Sequence, residues 1–275
     1  MRLSQAQIRQ YHEQGWLAPI RVLSPERATD YRRRLEAAEA ANGGPFQGAM
    51  KQKPHLLFTW LDELVRQAAV LDAVEGVIGP NILCWASGFF TKEAHDPSYV
   101  SWHQDLTYWG LEPADIVTAW VALSPSTPES GCMRVVPGSH KQDVLPHTET
   151  FAEHNLLSRG QEIEVEVDER EAVDLVLQPG EMSLHHVKLI HGSGANRADD
   201  RRIGYAIRYV PTYVRQVAGP EDSAMLVRGV DAYGHFLPET PPAADLDAAA
   251  LAQHAAVTAR AARILMRGTG REGFR

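Results

Sequence analysis

The sequence predicts a mainly β chain with flanking α-helices, of the sandwich or jelly-roll kind. Three observations carry that prediction. Between about residues 81 and 215 the chain breaks into seven short β-leaning runs. Turn signals such as Pro137-Gly138, Pro179-Gly180 and Gly192–Asn196 separate them. No helical period is interleaved between them, as a parallel α/β sheet would require.

The elements follow in order. Residues 4–15 read as a helix capped by Ser4, with Ile8 and Tyr11 three apart on one face. Ser24-Pro25-Glu26 opens a longer helix over about 25–41, stopped by Gly43-Gly44-Pro45. A third helix is expected over about 60–77, where Leu61, Leu64, Val65, Ala68, Leu71 and Val74 recur at spacings of three and four; Gly79-Pro80 ends it. The expected strands are Ile82–Thr91, Ile116–Leu123, Met133–Val136, Ile163–Val167, Val173–Leu177, Met182–His186 and Ile203–Val210. Residues 140–162 form a long polar connection, and with the loose stretch 216–240 they have the length of lids over a site. An alanine-rich helix over about 245–266 and a tail, Arg267–Arg275, close the chain. The expectation is one domain over 1–275: a helical part (about 1–80), a β core (about 81–215), and a C-terminal loop and helix (about 216–275).

Composition narrows the function. The chain has 275 residues, 44% apolar and 23% charged, with a net charge of −8. That balance argues against a nucleic-acid or anionic-membrane surface, which calls for clustered Lys and Arg. Cys84 and Cys132 are too few for a disulfide framework and lack metal-ligand spacing, so both are expected to be small buried apolar residues. No apolar run approaches the roughly 20 residues of a membrane span. The polar start, Met1-Arg2-Leu3-Ser4-Gln5, lacks a signal-peptide stretch, so a cytoplasmic location is expected. A small-molecule substrate is the expected partner, and nothing indicates an oligomer.

The chemistry concentrates around Trp102-His103-Gln104-Asp105 and Ile190-His191-Gly192-Ser193. On a strand, residues i and i+2 face the same side, so His103 and Asp105 can converge on one ion. With His191 they make a 2-His-1-carboxylate set, which leaves coordination positions open and suits oxygen activation by non-haem Fe(II). The His-x-Asp spacing alone is a weak signal in a chain of twelve histidines. Arg202, eleven residues past His191, offers a guanidinium fork to the distal carboxylate of a dicarboxylate, and Ser193 a hydroxyl to the same group. The competing reading makes Arg201 and Arg202 an exposed pair beside Asp199 and Asp200. Likewise His140 reads first as a turn or capping residue, and Trp120 as core. Trp102, Tyr108 and Trp109 wall a pocket or simply pack.

Four ordered blocks carry a resemblance: His103-Gln104-Asp105-Leu106; Thr118-Ala119-Trp120-Val121-Ala122-Leu123; Gly131 through Lys141; and Ile190 through Asn196 followed by Arg202. Together they resemble the phytanoyl-CoA dioxygenase family over about residues 3–215. The resemblance implies a double-stranded β-helix, the cupin-like jelly roll, with Fe(II) on His103, Asp105 and His191. It implies 2-oxoglutarate as co-substrate with O2, paired with Arg202, with Ser193 and Trp120 in its pocket. A family lysine upstream of Gly79-Pro80-Asn81 falls near Lys51, with Lys53 as the alternative. Relatives that halogenate carry a small residue at the position of Asp105, so the resemblance implies hydroxylation. It does not imply a substrate, and no surface suited to a CoA adenine or diphosphate stands out. Two other readings remain open on the residues: a cupin-like isomerase or lyase that does not use 2-oxoglutarate, and a non-catalytic jelly-roll binding module.

Overall fold

The computed structural model describes residues 2–219 and 221–270; residues 271–275 of the expected tail lie outside the described residues. Two sheets dominate. A seven-stranded sheet takes the order Trp16–Arg21, Glu181–His186, Val117–Ala122, Arg202–Pro211, Ile82–Lys92, Ser223–Arg228, Leu237–Pro238. A four-stranded sheet takes the order Val100–His103, His191–Ser193, Met133–Val135, Val173–Leu175. All of these pairings are antiparallel except the last one of the large sheet. Two sheets face to face make a jelly roll, as expected from the strand pattern.

Alternation along the central strand Arg202–Pro211 sets the layers. Ile203, Tyr205, Ile207 and Tyr209 point into the main core, together with Val117, Ala119 and Val121 of the neighbouring strand. That core is closed from outside by the N-terminal helices, through Tyr11, Tyr31, Leu35, Leu61, Leu64 and Val74. Tyr209 donates its hydroxyl to the Val65 carbonyl at 2.7 Å, so the buried phenol is satisfied at the sheet–helix junction. The opposite face of the same strand is left for the site.

The helices Gln5–Gln14 and Pro25–Ala41 form where expected, with Ser4 and Ser24 accepting from the backbone as caps. Three expectations need correction. The helix over 60–77 is two helices, Thr59–Val65 and Ala68–Ile78, broken at Arg66-Gln67. The strand expected at Ile163–Val167 ends at Ile163, because that short segment, Gln161–Ile163, pairs instead with His147–Glu149 inside the long connection. The β core also exceeds 81–215: Trp16–Arg21 and Ser223–Arg228, from the two outer parts, both join the large sheet. The last helix, Ala248–Leu265, is capped by Asp247. Among the described residues no helix is long and apolar enough to cross a membrane. Cys84 and Cys132 are buried free thiols.

Candidate metal centre and co-substrate pocket

A pocket of about 40 Å³ lies between the sheets, lined from the large sheet by Thr118, Trp120, His185, Arg202 and Arg208 and from the small one by His103, His191 and Ser193. Strand pairing builds its floor. His191 sits directly opposite His103 in register, and their ring centroids are 4.1 Å apart. The strand Val100–His103 ends at His103, and Asp105 opens a short 3-10 turn, Asp105–Tyr108. This corrects the expectation that both lie on a strand. Gln104 between them is nevertheless extended (φ −115°, ψ 131°), so the i, i+2 side-chain direction persists across the strand end. His103 Nε2 and Asp105 Oδ1 are 3.3 Å apart, and one donor atom from each of His103, Asp105 and His191 lies within 4.8 Å of the others.

The hydrogen bonds around this triad set its protonation. His103 Nδ1 lies 2.9 Å from the Ser101 carbonyl, and His191 Nδ1 2.9 Å from the Leu189 carbonyl. A carbonyl only accepts, so both Nδ1 atoms carry the proton and both Nε2 lone pairs are free to bind a metal. Burial, reinforced by the charge His103 would carry, pulls the His191 pKa down to about 4. Burial opposes ionisation of Asp105, but His103 when it also carries a proton on Nε2, then His191 and Arg208, outweigh that and hold it well below the usual carboxylate range. A divalent metal binds imidazole in its neutral form and carboxylate in its ionised form, the states that the lowered values of His191 and Asp105 favour.

Gln104 pins the ligand turn: its side-chain amide donates to the Lys188 carbonyl and accepts from the Leu145 backbone, each at 2.8 Å. Its own backbone N–H donates to His147 Nε2 at 3.0 Å. His185 brings a further imidazole, with Nε2 4.0 Å from Asp105 Oδ2 and its ring 4.8 Å from that of His191. Among the described residues its Nδ1 has no hydrogen-bond partner, and burial first, then His191, drives its pKa well below the ordinary value.

Arg202 enters from the large sheet and is buried rather than paired with Asp199 or Asp200 at the surface. Its guanidinium donates to the Gly131 carbonyl at 2.5 Å and lies 5.3 Å from the Trp120 ring centroid. Gly131 has φ +68°, and a Cβ there would stand 2.4 Å from the Gly194 carbonyl, so glycine is needed to present that acceptor. Arg202 Nε has no hydrogen-bond partner among the described residues. Beside it Lys92 is fully buried, donating to Ser193 Oγ at 2.7 Å and to the Gly194 carbonyl. Burial, then the Arg202 charge, pulls Lys92 down to about 6, and burial pulls Arg202 down to about 10. Among the described residues no carboxylate lies within ion-pair distance of either cation. A buried guanidinium and a buried amine, neither beside a carboxylate among the described residues, fit an anionic ligand.

The structure thus brings His103, Asp105, His191, Arg202, Ser193 and Trp120 to one pocket. Lys51 lines a larger adjoining cavity of about 170 Å³ instead. Lys53 is buried elsewhere, donating to Glu239 at 2.6 Å and to the Ser223 carbonyl at 2.8 Å. Tyr108 and Trp109 line the larger cavity, whereas Trp102 packs under the Arg134 guanidinium at 5.6 Å. His140 docks the N-terminal helix through the His12 carbonyl at 3.1 Å. Sequence reasoning missed His185, Lys92, Gln104 and Arg208. Alternation gave a usable signal for one of them: Arg208 shares a face with Arg202, whereas Lys92 is placed only by its pairing with Arg202 across the ladder.

The profile of the family described as Phytanoyl-CoA dioxygenase (PhyH) matches residues 11–204. Among curated proteins, the chain is 34% identical over 161 residues to a probable alpha-ketoglutarate-dependent hypophosphite dioxygenase of Stutzerimonas stutzeri, covering 56% of each. It is 33% identical over 137 residues to the peroxisomal phytanoyl-CoA dioxygenase of Homo sapiens, covering 48% of this chain and 40% of that one. The chain therefore spans about half the length of the curated relatives it matches. Among solved structures it resembles the apo form of ThoJ, a non-heme monooxygenase, with a TM-score of 0.83 at 36% identity over 94% of this chain and 97% of that one. It also resembles CytC3 with Fe(II) and alpha-ketoglutarate, with a TM-score of 0.64 at 26% identity over 85% and 92%. With its profile, its fold and its His-Asp-His centre in agreement, the chain belongs to the phytanoyl-CoA dioxygenase family of Fe(II)- and 2-oxoglutarate-dependent oxygenases.

Proposed function

We propose that this chain hydroxylates a C–H bond of a small-molecule metabolite, converting 2-oxoglutarate and O2 to succinate and CO2 as it does so. One observation carries the reading: a three-donor metal centre shares a pocket with the buried Arg202 guanidinium, which has no carboxylate partner among the described residues. A metal-dependent isomerase or lyase would use the first feature and leave the second without a purpose.

In this reading His103, Asp105 and His191 hold Fe(II), and the Nδ1–H bonds to backbone carbonyls fix the tautomer in which each imidazole presents Nε2 to the metal. Iron with bound 2-oxoglutarate supplies oxygen activation and the oxidising equivalents. Arg202 grips the distal carboxylate of the co-substrate, Trp120 fixes the plane of that guanidinium, and Ser193 donates a hydroxyl. Lys92 supplies the second positive charge behind Ser193; Lys51, which lines the larger cavity, is not needed for that role. Asp105 supports hydroxylation over halogenation, because a carboxylate occupies the position a halide would need. The test is succinate formation from 2-oxoglutarate in air by the Fe(II)-loaded protein. The reading expects succinate from the wild type and none from His191→Ala, and wild-type protein that forms no succinate would sink it.

A further inference from the structure

We propose that Arg208 anchors the substrate, and that the substrate carries an anionic oxygen group, a carboxylate or a phospho group, seated between Phe90 and Trp109. This rests on the oxygenase reading, which assigns the inner pocket to iron and co-substrate and leaves the adjoining cavity to the substrate.

Arg208 lines both cavities and so stands at their junction. It lies on the same strand face as Arg202, six residues further along. At about 3.3 Å per residue the two Cα atoms are separated by roughly 20 Å of strand, and the proposed function already gives the distal carboxylate to Arg202. Arg208 therefore serves something other than the distal carboxylate.

Its surroundings say what. None of its guanidinium nitrogens has a hydrogen-bond or ion-pair partner among the described residues, and its Nε is enclosed without one. Its flanks are aromatic: the Phe90 centroid is 5.4 Å away and the Trp109 centroid 5.8 Å. Aromatic walls hold a guanidinium flat while leaving its fork open to a planar or tetrahedral oxyanion. The other charged side chains on the outer cavity are Lys51, Arg159 and Asp105. Arg159 is already neutralised by Glu149. Asp105 belongs to the metal centre. Lys51, exposed at the rim, and Arg208, whose nearest counter-charge is the metal-centre carboxylate Asp105, thus face one cavity without an ion-pair partner among the described residues. A partly buried cation without a partner is costly, and an anionic substrate removes that cost.

The test uses the protein loaded anaerobically with Fe(II) and 2-oxoglutarate, titrated calorimetrically with phenylacetate, phenylphosphonate, benzyl alcohol and benzylammonium. The expected result is binding of at least one anion about tenfold or more tighter than the alcohol or the ammonium. Arg208→Gln should abolish that preference, and Arg208→Lys should keep part of it, which separates lost charge from lost fold. Phenylacetate favoured over phenylphosphonate identifies a carboxylate, and the reverse a phospho group. Equal affinity for anion and alcohol, or an unchanged preference in Arg208→Gln, overturns the proposal. So does loss of iron or 2-oxoglutarate binding in Arg208→Gln, which would make Arg208 a support for Asp105 instead. Wild-type protein that binds phenylacetate through Arg208 but takes up no 2-oxoglutarate would support the anion seat and defeat the oxygenase reading alone.

Discussion

Replacing Gly204 with alanine puts a methyl group where the structure holds an indole. Gly204 lies on the pocket face between Arg202 and Ala206, and a Cβ there would stand 1.7 Å from Trp120 Cζ2 and 2.1 Å from Cε2. Carbon atoms pack at about 3.5–4.0 Å, so the ring must retreat by about 2 Å. Overpacking of this kind costs about 1–3 kcal/mol, which for a chain of this size lowers Tm by roughly 2–12 °C. The retreat also strips Arg202 of its aromatic platform, now 5.3 Å away. A lost cation–π contact of about 0.5–2 kcal/mol weakens 2-oxoglutarate about 2- to 30-fold. Thermal unfolding and co-substrate titration measure both effects on one sample. In the double variant Gly204→Ala/Trp120→Leu the two costs should be less than additive, since the smaller side chain clears the clash. Unchanged Tm and unchanged affinity in Gly204→Ala would refute the claim that Trp120 is a fixed wall.

Three further outcomes are expected. Arg202→Met should weaken 2-oxoglutarate by about two to three orders of magnitude, the cost of leaving a buried carboxylate unpaired, while iron retention stays normal; a loss under tenfold in a co-substrate titration removes the assignment. Lys92, held at about 6 by burial and by Arg202, is mostly neutral at pH 8 without ligand and charged beside a carboxylate. Calorimetry in buffers of different ionisation enthalpy should therefore show uptake approaching about one proton per 2-oxoglutarate at pH 8, falling away below about pH 6, and no uptake at pH 8 would contradict it. Glu239→Gln leaves Lys53 buried without its counter-charge, and urea unfolding should register a loss of about 3–5 kcal/mol. Burial opposes the Glu239 charge, but Lys53 outweighs it and holds the folded pKa at about 2, below the ordinary 4.5. Its contribution is thus complete above pH 4.5 and lost as pH falls towards 2, and an acid titration in which Glu239→Gln and wild type lose stability in parallel would rule this out.

The strands that build the site were legible because each buries one face. Arg202–Pro211 and Val117–Ala122 alternate between the helix-covered core and the pocket, so their apolar texture marked them at once. Trp16–Arg21 was not legible: it is short, carries Pro19, and lies between two helices, as an edge strand can. The break at Arg66-Gln67 was hidden because it contains neither Gly nor Pro and the apolar period runs straight through it. At the site, the His-x-Asp spacing survives because Gln104 is extended, although the strand itself has ended. Lys92 and His185 escaped for a common reason. Each sits in a run of otherwise apolar or mixed residues, and only strand pairing, which a single sequence does not display, brings them to the pocket. Lys51 illustrates the converse, since a lysine placed by loop spacing falls in the neighbouring cavity.

The most direct test of the central claim is the visible absorption of the purified protein with Fe(II) and 2-oxoglutarate in the absence of oxygen. A weak charge-transfer band that needs both additions, and that is lost in His191→Ala, is the predicted result. Protein that binds neither, or that gives the same spectrum with and without 2-oxoglutarate, would contradict the claim that His103, Asp105 and His191 hold an iron centre open to this co-substrate.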